Sequence, residues 1–133
     1  MRKVFFRFIA LLVLISLSNC DKQAIEENGT FSGKIKIGPI CPVETIPPDP
    51  GCLPTAETYK SYPVYINSSD GFQKILINPK PDGSFNMELS PGDYFLTLGK
   101  ELNGPEHCNL PLAFTIYPSK TTLIDIEIDT GIR

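Results

Sequence analysis

The stretch Asp82-Gly83-Ser84-Phe85-Asn86-Met87-Glu88-Leu89-Ser90-Pro91-Gly92-Asp93-Tyr94 holds two turn signals on either side of one alternating segment. Asp82-Gly83 supplies the left-handed backbone position that other residues resist, and Ser90-Pro91-Gly92-Asp93 reverses the chain again. Between them Phe85, Met87 and Leu89 fall on one face, and beyond the second turn Tyr94, Leu96 and Leu98 return on one face. A period of two is the mark of a half-buried strand, so two consecutive antiparallel strands are expected here.

The same pattern extends outward in both directions. Upstream, Val64 to Asn67 and Lys74 to Asn78 flank the turn Ser68-Ser69-Asp70-Gly71 and form a hairpin, with Ile75 and Ile77 facing together. Thr30 to Gly38 alternates Phe31, Ile35 and Ile37 against Ser32, Lys34 and Lys36. Downstream, Leu112, Phe114 and Ile116 precede a turn at Pro118-Ser119-Lys120, and Ile124, Ile126 and Ile128 alternate with Asp125, Glu127 and Asp129. Seven evenly spaced strands predict an all-β domain, a seven-stranded antiparallel two-layer sandwich over residues 30–133. Phe85, Leu89, Tyr94, Leu96, Phe114, Ile124 and Ile126 are expected in its core. Lys34, Lys36, Asp125 and Glu127 are expected in water.

One region breaks the pattern. Pro39, Pro42, Pro47, Pro48, Pro50, Pro54 and Pro63 remove seven backbone donors from residues 39–63, and no regular element is expected to fill that loop. So long a loop needs tying down, and Cys41 and Cys52 lie within it. Pairing Cys41 with Cys52 is the favoured disulfide, closing about a dozen residues for about 3 kcal/mol. Pairing of Cys108 with either of them is the alternative.

The first nineteen residues have the three zones of an export signal: basic Arg2, Lys3 and Arg7, an apolar run from Phe8 to Ile15, and Ser16-Leu17-Ser18-Asn19 before Cys20. The apolar run is short of the roughly 20 residues that cross a bilayer as a helix. Leu17-Ser18-Asn19-Cys20 resembles the lipobox of bacterial lipoproteins, in which the cysteine thiol receives diacylglycerol and becomes the new amino terminus. The expected organisation is therefore a signal peptide over 1–19, a lipid-anchored polar tether over 20–29 from Cys20, and the sandwich. The expected location is the bacterial cell envelope, with the choice of inner or outer membrane left open.

Without residues 1–19 the chain keeps nine basic side chains against 15 acidic ones. Such a balance, with no clustered cations, speaks against nucleic acid as a partner. The chemistry-bearing motifs are sparse. Asp129-Thr130-Gly131 matches the triplet of aspartic proteases, but one copy at a strand end cannot supply two aspartates sharing a proton. Lys34 or Lys36 with Asp125, Glu127 or Asp129 has the composition of an intramolecular isopeptide, yet the alternation points these groups into water. His107 and Cys108 with Cys41 and Cys52 make four possible zinc ligands, although neighbouring residues are poor ligands for one ion. His107 is the only histidine, and no nucleophile motif surrounds it. No glycine-rich phosphate loop is present, and no cofactor is expected.

Asp82-Gly83-Ser84-Phe85 through Leu89-Ser90-Pro91-Gly92-Asp93-Tyr94 resembles the D-G-x-F-x-x-x-L-x-P-G-x-Y signature of carboxypeptidase regulatory-like domains, which are transthyretin-like (prealbumin-like) sandwiches. Gly38-Pro39-Ile40-Cys41-Pro42-Val43 and the final Asp129-Thr130-Gly131-Ile132-Arg133 are similar to a bacterial group of small exported proteins with G-P-x-C-P-V and D-T-G-I-R. The resemblance implies an accessory role rather than catalysis. The expectation is a lipid-anchored, non-enzymatic binding or structural module, held to a membrane through Cys20 and facing an envelope protein or glycan. The rival expectation is a thiol or metal site built from the cysteine loop.

Overall fold

The computed structural model describes residues 27–43 and 45–133. The signal peptide assigned to 1–19, the lipidation site Cys20 and the tether as far as Glu26 lie outside the described residues.

Among the described residues, nine short strands form two stacked sheets, the all-β two-layer sandwich expected from the alternation. They are β1 (Gly29–Gly38), β2 (Val64–Ser68), β3 (Lys74–Leu76), β4 (Ser84–Leu89), β5 (Gly92–Leu98), β6 (His107–Cys108), β7 (Leu112–Ile116), β8 (Thr121–Leu123) and β9 (Ile126–Asp129). One sheet runs β3-β2-β5-β7, antiparallel throughout. The other runs β4-β1-β9-β6, with β8 also beside β1.

That second sheet departs from a purely antiparallel arrangement. β1 lies antiparallel to β4 but parallel to both β8 and β9, so the first and last strands of the domain are neighbours. The count differs as well, nine against seven, for two reasons. His107–Cys108 adds a two-residue strand on the edge of β9. The last expected strand is also split: the chain leaves β1 at Ile124 and returns to it at Ile126.

Gly33 explains where the split falls. A Cβ there would stand 1.8 Å from the carbonyl oxygen of Ile124, so only glycine admits the crossing backbone. The Ile124 amide donates to the Ser32 carbonyl at 3.0 Å, and the Asp125 carboxylate takes the Lys34 amide at 3.1 Å in place of a ladder bond. Ile124, expected in the core, is consequently only half-buried.

The core lies between the sheets. Phe31, Ile35, Ile37, Phe85, Leu89, Ile126 and Ile128 meet Val64, Ile66, Ile77, Tyr94, Leu96, Phe114 and Ile116. Phe31 stacks on Phe114 with centroids 4.5 Å apart and tilts against Phe85 at 5.1 Å. The Tyr94 hydroxyl finds the Ser90 carbonyl at 2.9 Å, so the turn that introduces β5 is bolted to its own first core residue. Lys34, Lys36, Asp125 and Glu127 all face water, as the alternation requires.

Between Pro54 and Pro63 the chain forms a helix, α1 (Ala56–Ser61), where no regular element was expected. The prolines of the long loop leave one gap, residues 55–62, wide enough for a turn and a half. Thr55 caps that helix: its hydroxyl accepts the Thr58 amide while the Thr58 hydroxyl accepts the Thr55 amide. A Glu57–Lys60 pair at 2.7 Å spans its exposed side. A further 3-10 turn covers Pro50–Cys52, with Asp49 as its cap.

The sandwich has two distinct ends. At one lie the start of β1, the turn 69–73, the turn 90–91 and the turn 117–120. At the other lie the loop 39–63, the turn 77–83, the loop 99–111 and residues 130–133.

Ile126 is fully buried and Glu127 is exposed. Ile126→Ala should destabilise the domain by about 2–5 kcal/mol, while Glu127→Ala should cost less than about 0.5 kcal/mol. Urea unfolding of the two variants checks this; equal losses would mean that the faces of β9 are reversed.

Candidate functional site

Because β1 and β9 run in parallel, with Gly38 opposite Asp129, the two segments that follow leave the sheet side by side. The Thr130 amide donates to the Gly38 carbonyl at 3.1 Å, and the Thr130 hydroxyl donates to the Pro39 carbonyl. Gly38-Pro39-Ile40-Cys41 and Asp129-Thr130-Gly131, about ninety positions apart in sequence, thus form one surface. The loop 99–111 closes its third side.

Asp129 organises the last five residues. Its carboxylate receives Arg133 through both guanidinium nitrogens, at 3.1 and 2.9 Å, and the Gly131 amide at 2.7 Å. His107 Nε2 stands 3.6 Å away. The Arg133 hydrogen bond, then the Gly131 amide, hold the Asp129 carboxyl down at about 2, against an ordinary 3.8. Gly131 has a positive φ of 74°, and a Cβ there would meet Pro105 Cγ at 2.6 Å. The Asp-Thr-Gly triplet is therefore a strand end and a turn packed against the loop 99–111.

Glu106 does the same for that loop. Lys100 Nζ lies at 2.6 Å, the Tyr62 hydroxyl donates at 2.8 Å, and the Asn103 amide donates at 3.0 Å. Lys100 also sits 4.0 Å above the Tyr62 ring. Lys100, followed by the Asn103 amide and Tyr62, holds the Glu106 carboxyl at about 2, against an ordinary 4.5. Tyr62 belongs to the segment that follows α1, so this carboxylate joins the segments before β2 and before β6.

Cys41 and Cys52 form a disulfide, with Cα atoms 5.4 Å apart. Cys108 is free and half-buried against the core, on β6 opposite Ile128. His107, its neighbour on the same strand, points to the exposed side. Alternation along β6 thus sends these two groups to opposite faces. The four residues considered as zinc ligands do not converge, and among the described residues no three His, Cys, Asp or Glu side chains are placed to hold a metal.

The lysine of the isopeptide reading stands in the open. Lys36 Nζ pairs with Asp125 at 3.1 Å and with Glu127 at 3.5 Å, all three exposed. The Asp125 hydrogen bond raises Lys36 and lowers Asp125, which keeps both charged. An amide between them requires a neutral amine and a desolvated acid, and neither condition is met.

What remains at this end is apolar. Ile46 is 101% exposed and Val43 71%, both on the disulfide-closed loop, and Leu53, just beyond Cys52, is 49% exposed. A depression of about 500 Å3 lies beside them, lined by Ile37, Ile40, Ile46, Pro48 and Leu53.

Cys41, Cys52, Asp129 and Arg133 stand out in the sequence, the last two within one terminal motif, but Glu106 and the pairing of Asp129 with Arg133 do not. Lys100, Asn103 and Glu106 are spaced at three-residue intervals, a signal that becomes legible only once Tyr62 is known to lie above them.

No protein-family model matches the chain, and no curated protein matches it. Among solved structures it is similar to a minor pilin of the Gram-positive pathogen Streptococcus agalactiae, at 17% identity over 77% of this chain and 44% of that one, with a TM-score of 0.50. It is also similar to a DUF3823 family protein from Parabacteroides merdae, at 18% identity over 77% of this chain and 46% of that one, with a TM-score of 0.45. The chain spans less than half the length of either. At such identities the likeness to the pilin is one of fold: a β-sandwich, compatible with the transthyretin-like arrangement.

Both carboxylates are depressed, so what they contribute to stability is complete above about pH 5 and lost as the pH falls toward about 2. Asp129→Asn should destabilise the domain at neutral pH and flatten that acid dependence. Urea midpoints of the variant and the parent should therefore converge near pH 2. A constant gap across the range would mean that the Asp129–Arg133 pair does not carry the effect.

Proposed function

We propose that this protein is a lipid-anchored module of the bacterial cell envelope with a non-catalytic role: it presents the apolar disulfide loop to a partner protein. The observation that carries this reading is the placement of the loop. Val43, Ile46 and Leu53 lie at the end of the sandwich opposite the start of β1, and the lipobox-like Leu17-Ser18-Asn19-Cys20 precedes β1. An anchor at one end and an exposed apolar surface at the other suit a protein that holds something away from a membrane.

The chemistry of the surrounding groups supports a binding role. Asp129 and Glu106, each at about 2, are weak bases at neutral pH and already committed to Arg133 and Lys100. The disulfide restrains the loop, which lowers the entropy lost when a partner covers it. Among the described residues no helix is long and apolar enough to cross a membrane, and in this reading the attachment comes from acyl chains on Cys20. The carboxypeptidase regulatory-like signature, and the resemblance of Gly38–Val43 and Asp129–Arg133 to small exported proteins, point to the same accessory class.

Two measurements test the two halves of the proposal. Cys20→Ser should abolish labelling by radioactive fatty acid; a wild-type protein equally unlabelled would end the lipid reading. A photo-reactive side chain at Ile46 should give a discrete protein adduct in native membranes, and one at the exposed Leu123 of β8 should not. The adduct should vanish when Leu53→Asp is added. Equal adducts from both positions, or persistence in the Leu53→Asp background, would remove the apolar loop as the contact surface.

A further inference from the structure

The end of the sandwich at the start of β1 has an exposed apolar surface of its own. Phe72 is 88% exposed at the tip of the turn between β2 and β3, and Tyr117 is 55% exposed where β7 ends. Neither ring contributes to the core. Both are nevertheless held outward by ordered turns. The Phe72 amide donates to the Asp70 carboxylate at 2.9 Å, and the Ser68 hydroxyl donates to the same group. Lys120 lies 5.7 Å above the Tyr117 ring, with its amide donating to the Tyr117 carbonyl.

The tether enters beside these rings. The Ser119 amide donates to the Asn28 carbonyl at 3.1 Å, and the Ser119 hydroxyl donates to the Glu27 carboxylate. Thr30 continues the contact through its amide to the Lys120 carbonyl at 2.8 Å. On the reading that Cys20 is lipidated, only residues 20–26 separate the acyl chains from Glu27. Seven residues reach at most about 25 Å, so this end of the domain is confined close to the bilayer surface.

We infer that the end bearing Phe72 and Tyr117 rests on the membrane, with the two rings in the interfacial layer. Tyr117 favours that layer because its ring leaves water while its hydroxyl stays hydrated, and the hydrocarbon ring of Phe72 leaves water by entering the same layer. Lys120 suits the same position, its stem lying along Tyr117 and its ammonium reaching the headgroups. The nearby acidic side chains have neutral hydrogen-bond donors and no paired cation, which disfavours anionic headgroups. Asp70 is occupied by Ser68 and Phe72, Asp93 by the Thr115 hydroxyl at 2.6 Å, and Glu27 by Ser119. The surface is therefore expected on zwitterionic vesicles. This inference rests on the lipid-anchor reading, and it adds an orientation: the sandwich stands upright with the disulfide loop pointing outward.

The chain contains no tryptophan, which makes each position testable with a single reporter. The full-length protein and its F72W, Y117W and I46W variants would be produced with their signal processed and the amino-terminal mass measured. They would then be mixed with phosphatidylcholine vesicles whose acyl chains are brominated. Emission from F72W and Y117W should shift to the blue and be quenched about threefold more than emission from I46W, because bromine reaches only fluorophores at the interface. Unfolding midpoints near that of the parent establish that the variants are folded. Quenching of F72W and Y117W no greater than that of I46W, in protein whose mass carries the lipid, overturns the inference while the anchor stands. A mass without lipid ends the anchor reading. The quenching comparison still decides the surface in that case, since excess quenching keeps it and equal quenching removes it.

Discussion

The parallel pairing of β1 with β8 and β9 is the constraint on which the rest of this molecule depends. It joins the beginning of the domain to its end, so Gly38 and Asp129 become neighbours and the segments beyond them leave the sheet together. Closing so long a stretch of chain costs entropy that no local contact repays. The return comes from Phe31, Ile35 and Ile37 packing beside Ile126 and Ile128 over the opposite sheet. Gly33 permits the arrangement, since any side chain there would collide with the Ile124 backbone where the last strand is interrupted.

The charged groups around this pairing serve the same purpose. Asp125 takes the Lys34 amide where the ladder is broken and binds Lys36 through its other oxygen. Asp129 folds Arg133 back over the sheet end, and Glu106 gathers Lys100, Tyr62 and Asn103. Each carboxylate replaces hydration with several donors at once, which is why Asp129 and Glu106 lie so far below their ordinary values. Acids used in this way hold the loop 99–111 and residues 130–133 at the end of the sheet.

The two ends of the sandwich differ in kind. At one, aromatic rings stand on short ordered turns next to the tether; at the other, aliphatic side chains stand on a long loop closed by Cys41 and Cys52. Antiparallel hairpins carry the chain between these ends, so every turn belongs to one or the other. Under the proposed lipid anchor, this polarity would separate the surface close to the bilayer from the one offered to a partner.

Much of this was legible before any coordinates. A period of two decides which face a residue occupies, so Phe85, Leu89, Tyr94, Leu96, Phe114 and Ile126 could be placed inside, and Lys34, Lys36, Asp125 and Glu127 outside, from the sequence by itself. Turn chemistry at Asp82-Gly83 and Pro91-Gly92, and the short spacing of Cys41 and Cys52, are local in the same sense. α1 escaped notice because seven prolines obscured the one gap, Thr55 to Tyr62, where a capped helix fits. Ile124 was misplaced because alternation continues unbroken through a point where the backbone leaves its neighbour. The parallel partner of β1, the ion pair of Asp129 with Arg133 and the convergence on Glu106 were decided by tertiary structure alone. Periodicity specifies a face but not the strand beside it, and the partner of a charge is whichever group the packed core brings within reach.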